Sequence, residues 1–104
     1  LNPSIILMDE PFGALDIITR ERMGFELQKI WSASRNTVLL VTHSITEAAL
    51  LSDRIIVMRS RPGRITEIVP VDLPRPRDRR TLTSPGFIEI TARVSETVAA
   101  GWVE

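Results

Sequence analysis

Two rhythms of apolar and polar positions run along this chain. Ser4 to Met8 (Ser-Ile-Ile-Leu-Met) and Thr37 to Val41 (Thr-Val-Leu-Leu-Val) are short unbroken apolar runs rich in β-branched residues. Such runs predict strands buried on both faces of a parallel sheet. Between them, Met23, Leu27, Ile30 and Trp31 recur at helical spacing among charges, with Asp16 in the N-cap position. An amphipathic helix of roughly five turns, ending near Arg35 and Asn36, follows from that spacing. Ser44-Ile45-Thr46-Glu47 has the S-x-x-E spacing of a capping box and opens a short helix through Leu51. Ile55 to Met58 and Ile65 to Val71 flank the turn sequence Arg61-Pro62-Gly63-Arg64 and predict an antiparallel hairpin.

Beyond the hairpin the texture changes. Five of the seven prolines lie between Pro62 and Pro85, and Leu73-Pro74-Arg75-Pro76-Arg77-Asp78-Arg79-Arg80 is stiff and basic, which reads as a linker or a solvated edge. Ser84-Pro85 then supplies an N-cap and a first helical position, and Phe87, Ile90, Val94 and Val98 keep helical spacing in a terminal amphipathic helix. The order β-α-β-α-β-β-α makes the fold class α/β, with crossovers that bring strand C-termini to one edge.

Charge and composition narrow the function. Thirteen basic residues balance thirteen acidic ones over 104 positions, which argues against a nucleic-acid binder working by bulk charge. No apolar run approaches the ~18 residues that span a bilayer. With no cysteine there is no disulfide framework and no thiolate metal site. The chain opens on Leu1-Asn2-Pro3-Ser4, without Met and without a secretory pattern, directly into a strand, and so reads as a piece of something longer.

In open α/β sheets, ligands sit beyond the carboxyl ends of the strands. There the first strand ends in Asp9-Glu10 and the second leads to His43. A carboxylate such as Asp9 suits Mg²⁺, which takes oxygen ligands and keeps several waters. Glu10, pointing elsewhere along the chain, suits alignment or deprotonation of a water attacking a γ-phosphate, and His43 suits a hydrogen bond to that phosphate. Each residue also has a plainer use: two carboxylates after a strand serve as a solvated loop or cap, and a Thr-His-Ser loop places a histidine on the surface. By spacing alone Asp16 is an N-cap, and the Arg75 to Arg80 cluster is a solvated edge.

The features in order carry more than any one of them. Ile5-Ile6-Leu7-Met8-Asp9-Glu10-Pro11, then Gly13-Ala14-Leu15-Asp16, then Val41-Thr42-His43, resemble the Walker B, D-loop and switch-histidine run of the ATP-binding cassette (ABC) transporter ATPases. Glu47-Ala48-Ala49, Ser52-Asp53-Arg54-Ile55, Arg61-Pro62-Gly63-Arg64-Ile65 and the tail Asp72-Leu73-Pro74-Arg75-Pro76-Arg77 resemble the subfamily that serves importers of nitrate, sulfonates and taurine. The likeness covers nearly the whole chain. It implies the C-terminal part of a P-loop NTPase domain, with mostly parallel core strands, flanking helices, a C-terminal hairpin and a terminal helix. Residues 1–72 would be the nucleotide-binding part and 73–104 the proline- and arginine-rich segment with its helix.

Position by position, the resemblance implies that Asp9 helps bind Mg²⁺, that Glu10 is the catalytic base and that His43 contacts the γ-phosphate of ATP. It makes Ala14, Leu15 and Asp16 a loop touching the opposite subunit of a nucleotide-sandwich dimer. It further implies transmembrane permease subunits and a solute-binding protein as partners, no nucleic acid, and a peripheral place on the cytoplasmic face of the membrane. Ser44 departs from the pattern, since many relatives carry Asp after the histidine.

Equally informative is what the 104 residues do not contain. A phosphate-cradling loop needs G-x-x-x-x-G-K-[ST], whereas Gly13, Gly24, Gly63, Gly86 and Gly101 are scattered and the single lysine, Lys29, lies in the long helix. The family's glutamine loop and Leu-Ser-Gly-Gly-Gln segment are absent too. The chain by itself is therefore expected not to hydrolyse ATP, and to expose apolar surface and strand edges that promote association. Two other classes stay open: a non-transport ABC-type ATPase of DNA repair or translation, and a non-enzymatic interaction module docking through Arg75 to Arg80. The second is weak on charge, with nine basic against seven acidic residues over 53–104.

Overall fold

A computed structural model of the chain describes residues 5–33, 37–59 and 63–102. Strand β1 (Ile5–Asp9) leads through helix α1 (Ile17–Ser32) to strand β2 (Thr37–Val41), and the two strands pair in parallel from Ile5↔Thr37 to Asp9↔Val41. This β-α-β unit is the form a parallel pair requires, because the return crossing is too long for a tight turn. Helix α2 (Ile45–Leu51) follows, then strands β3 (Arg54–Arg59) and β4 (Arg64–Pro70), which pair antiparallel. A short 3-10 turn at Thr81–Thr83 precedes helix α3 (Pro85–Trp102). Ser84 opens α3 as the sequence predicts, its Oγ accepting from Phe87 N at 3.3 Å.

The mostly parallel core is realised in part. Among the described residues there are two separate two-stranded sheets, one parallel and one antiparallel. A bulge between Val57 and Met58 shifts the hairpin register, so that Val57 faces Glu67 while Met58 faces Ile65. Ser4, Arg35, Asn36, Arg61 and Pro62, which the predicted boundaries and turn invoke, lie outside the described residues.

The core is built from α2, the inner face of the hairpin and α3. Ala49, Leu50 and Leu51 form one buried cluster with Ile55, Val57, Val69 and Val71, with Phe87 and Val94 of α3, and with Phe12. Burial of such side chains, at roughly 25 cal/mol per Å² of apolar surface, is the main favourable term.

Three expectations are corrected. The first two strands are not buried on both faces: Ile5 is 77% and Leu7 64% exposed, and Leu39 and Val41 share that open face, while Ile6, Met8, Val38 and Leu40 are half-buried. Among the described residues, cover comes from one side only, where Leu40 packs against the core. In α1 the predicted stripe holds by half: Leu27 and Trp31 pack against the core, Met23 and Ile30 face out, and the fully buried positions are Gly24 and Gln28. A Cβ on Gly24 would sit 3.6 Å from Leu50 Cδ2 and 3.8 Å from Leu51 Cδ2, ordinary contact distances, so α1 lies close to α2 here with room for one methyl group.

The third correction concerns the basic stretch. Residues 73–80 are a solvated edge only in part: Pro74, Arg75, Pro76, Asp78, Arg79 and Arg80 are exposed, but Arg77 is only 3% exposed. Its Nη1 donates to Ser52 O at 2.6 Å and to Ala49 O and Leu50 O at 3.3 Å, and its Nη2 donates to Val71 O and Leu73 O at 3.2 Å. The last carbonyls of a helix have no partners within it, and this guanidinium supplies them for α2. Arg75 adds a bond to Leu51 O and an ion pair with Asp53, both at 2.9 Å. Of the cluster, Arg79 and Arg80 remain on the surface beside their bonds to Glu21 and Asp78.

Candidate functional site

Parallel pairing puts the C-terminal ends of β1 and β2 side by side, with Asp9 opposite Val41. The chain leaves β1 through Glu10, whose backbone has φ 50° and whose N–H donates to Val41 O at 2.7 Å. That left-handed bend takes Glu10 off the strand line and towards the segment after β2. Its Oε1 accepts the backbone N–H of His43 at 2.9 Å and lies 3.5 Å from His43 Nε2. The carboxylate and the imidazole named from sequence thus meet across 33 positions. The ring itself is 98% exposed, presented to solvent rather than packed.

Asp9 stands apart from that pair. Exposed at the strand end, its carboxylate has no hydrogen-bond partner among the described residues, and no group of three or more His, Cys, Asp or Glu that could hold a metal ion occurs among them. One free carboxylate is a poor site for an ion that needs a full protein cage. It fits Mg²⁺, which keeps waters and takes further oxygens from a bound phosphate.

The segment after Glu10 is anchored by Phe12, buried in the core, and tightened by Gly13 N to Glu10 O at 3.2 Å and Leu15 N to Phe12 O at 3.0 Å. Ala14, Leu15 and Asp16 are exposed on its outer side. Asp16 is the N-cap of α1: its carboxylate accepts Thr19 N at 2.8 Å and Thr19 Oγ1 at 3.1 Å. The backbone bond from Thr19, then the hydroxyl bond, hold the Asp16 carboxyl below its ordinary value.

The capping box at Ser44 forms only by half. Ser44 Oγ accepts Glu47 N at 3.2 Å, but Ser44 N turns to Thr42 Oγ1 at 3.0 Å. The Glu47 carboxylate instead accepts Thr42 Oγ1 at 3.4 Å and lies 3.9 Å from Arg20 Nε. Burial pushes the Glu47 carboxyl above its ordinary value; Arg20 and Thr42 pull the other way, and Glu10 adds a small upward push. Arg20 closes the set, its Nη2 donating to Gly13 O at 3.4 Å and Leu15 O at 3.3 Å. Nothing in the spacing of the sequence pairs Arg20 with Glu47, which lie on different helices.

No family model matches the chain. Curated relatives do. An uncharacterized ABC transporter ATP-binding protein of Methanocaldococcus jannaschii is 54% identical over 89% of this chain and 34% of its own length. An aliphatic sulfonates import ATP-binding protein of Bacillus licheniformis is 48% identical over 88% of this chain and 35% of its own length. A bicarbonate transport ATP-binding protein of Synechococcus elongatus is 46% identical over 86% of this chain and 33% of its own length. The chain spans 33 to 40% of the length of the curated relatives it matches.

Proposed function

The chain belongs to the ATP-binding proteins of ABC transporters, and from that premise we propose that it carries the water-activating half of an ATP-hydrolysing site. The observation that supports this most directly is the Glu10–His43 pair. Glu10 Oε1 is committed to the His43 backbone, whereas Oε2 has no partner among the described residues. A carboxylate held by one oxygen keeps the other in a fixed direction, ready to align a water and accept its proton. His43, with its ring in solvent beside that oxygen, donates to the incoming γ-phosphate. Asp9 would hold Mg²⁺, whose charge would offset that of the phosphates.

In this reading, the exposed loop at Ala14, Leu15 and Asp16 meets a second nucleotide-binding subunit. No helix among the described residues is long and apolar enough to cross a membrane; the transport names of the relatives support permease subunits that supply the path, with this subunit at their cytoplasmic side. A solute-binding protein delivers the cargo. The relatives named for aliphatic sulfonates and bicarbonate make a small solute of that kind, such as a sulfonate, taurine or nitrate, the one we assign. Their transport names weigh against a DNA-repair or translation role, and the burial of Arg77 weighs against a docking patch at residues 75–80.

The test is Glu10→Gln in the protein that joins this segment to a phosphate-binding loop. ATP binding stays, and hydrolysis falls by about 10²–10⁴-fold, the usual worth of a general base. Hydrolysis within a few-fold of wild type overturns the assignment. The 104-residue chain alone shows no turnover that Glu10→Gln abolishes.

A further inference from the structure

The Glu10–His43 contact lies beyond the β1–β2 ladder, which ends at Asp9↔Val41. Past the ladder Glu10 N donates to Val41 O at 2.7 Å, and further polar groups link the two exit segments. Arg20 Nη2 donates to the carbonyls of Gly13 and Leu15 in the segment after β1. On its other side, Arg20 Nε is buried without a hydrogen-bond partner and faces Glu47 Oε2 at 3.9 Å. Glu47 Oε1 accepts from Thr42, and Thr42 and Ser44 bond each other, so the residues on both sides of His43 are tied to Glu47.

Resting on the roles assigned above to Glu10 and His43, we propose that Arg20 and Glu47 are positioning residues: a bridge between α1 and α2 that sets the His43 segment against Glu10. Neither touches nucleotide. The case stands on a broken local rule. A glutamate at this place in a capping box normally turns back to the cap residue's N–H, yet here Thr42 serves that N–H and the carboxylate is turned inward, with its side chain 8% exposed. Burying a carboxylate is costly unless a charge meets it. The cation that meets this one is Arg20, which also holds the other segment, while the remaining charge near it is that of Glu10 itself. A local preference given up at a cost, next to reactive groups, is where a sequence serves a site rather than the fold.

The His43 amide reports the arrangement directly, because its hydrogen goes to Glu10. Amide hydrogen exchange, read by NMR on the nitrogen-15-labelled chain without nucleotide, measures how firmly that bond is held. Glu10→Gln sets the level for a weakened acceptor. Glu47→Gln keeps the shape and the acceptor for Thr42 but removes the charge, and Arg20→Met removes the bridge. Both are expected to speed exchange at His43 by about tenfold or more, towards the Glu10→Gln level, while the β1–β2 ladder amides stay within about threefold. Arg20→Lys, which keeps the charge, falls between. Unchanged exchange at His43 in Glu47→Gln and Arg20→Met overturns the proposal. So does acceleration spread equally over the ladder, which would make the pair a prop of the fold at large, and so does an inert Glu10→Gln, which would leave nothing to position. Since no ATP is hydrolysed in this measurement, its failure is separate from failure of the catalytic assignment.

Discussion

The side-chain amide of Gln28 grips the backbone of Arg77 at both ends, donating from Nε2 to Arg77 O at 2.9 Å and accepting at Oε1 from Arg77 N at 3.2 Å. This pairing imitates a rung of β-sheet, made by a side chain between positions 49 apart. It works only because both residues are buried. Water does not compete for the bonds, and the guanidinium of Arg77 is held in reach of the carbonyls at the end of α2.

Arg77→Ala is expected to destabilise the chain by about 3 kcal/mol. It strands several buried carbonyls at once, each costing about 1–3 kcal/mol when left without a donor, with partial repair by water. Gln28→Leu costs less, about 2 kcal/mol, because two backbone groups lose partners. Urea unfolding with an unchanged slope checks both values.

Gly24→Ala goes the other way. Alanine is better than glycine by about 1 kcal/mol in a helix interior, and the added Cβ meets Leu50 and Leu51 at ordinary contact distance. A gain of about 0.5–1 kcal/mol in urea is the expected result. Gly24→Val, with two further methyl groups in that space, loses stability.

The response to acid follows from two carboxylates held below their ordinary values. Asp16 is held by its bonds from Thr19, and Glu67 by the Thr97 hydroxyl first and Arg93 second. For a lowered folded value, the stabilisation is present above the unfolded value, 3.8 for Asp16 and 4.5 for Glu67, and is lost as pH falls through the folded one. Stability therefore declines on acidification below about pH 5, and Asp16→Asn with Glu67→Gln makes the decline shallower. Glu47, raised by burial, has the opposite sign: its contribution is present below 4.5 and fades as pH rises through its folded value. Urea midpoints from pH 3 to 7 check the slope.

Local rules were legible in the sequence. The Asp16 cap, the second strand at Thr37–Val41, the short helix ending at Leu51, the antiparallel hairpin and the Ser84 start of the last helix all follow from spacing and turn chemistry. What spacing does not carry is partnership over distance. Met23 and Ile30 share the period of Leu27 and Trp31, of which only the latter two pack inward, and the most buried polar position of α1, Gln28, is placed by its meeting with Arg77, a signal that does not lie in the helix alone. Arg77 reads as surface because arginine usually is, and only the end of α2 explains its burial. Of the site, Asp9, Glu10 and His43 could be named from strand ends, whereas the bridge through Arg20 and Glu47 needed three dimensions.

Glu10 carries a trade-off in its backbone. A non-glycine residue at φ 50° bears a cost of order 1 kcal/mol, and glycine at that position would be relieved of it. Any drift towards tolerance of heat or denaturant therefore pulls against the carboxylate, and a stability screen that admits glycine at position 10 is expected to favour it.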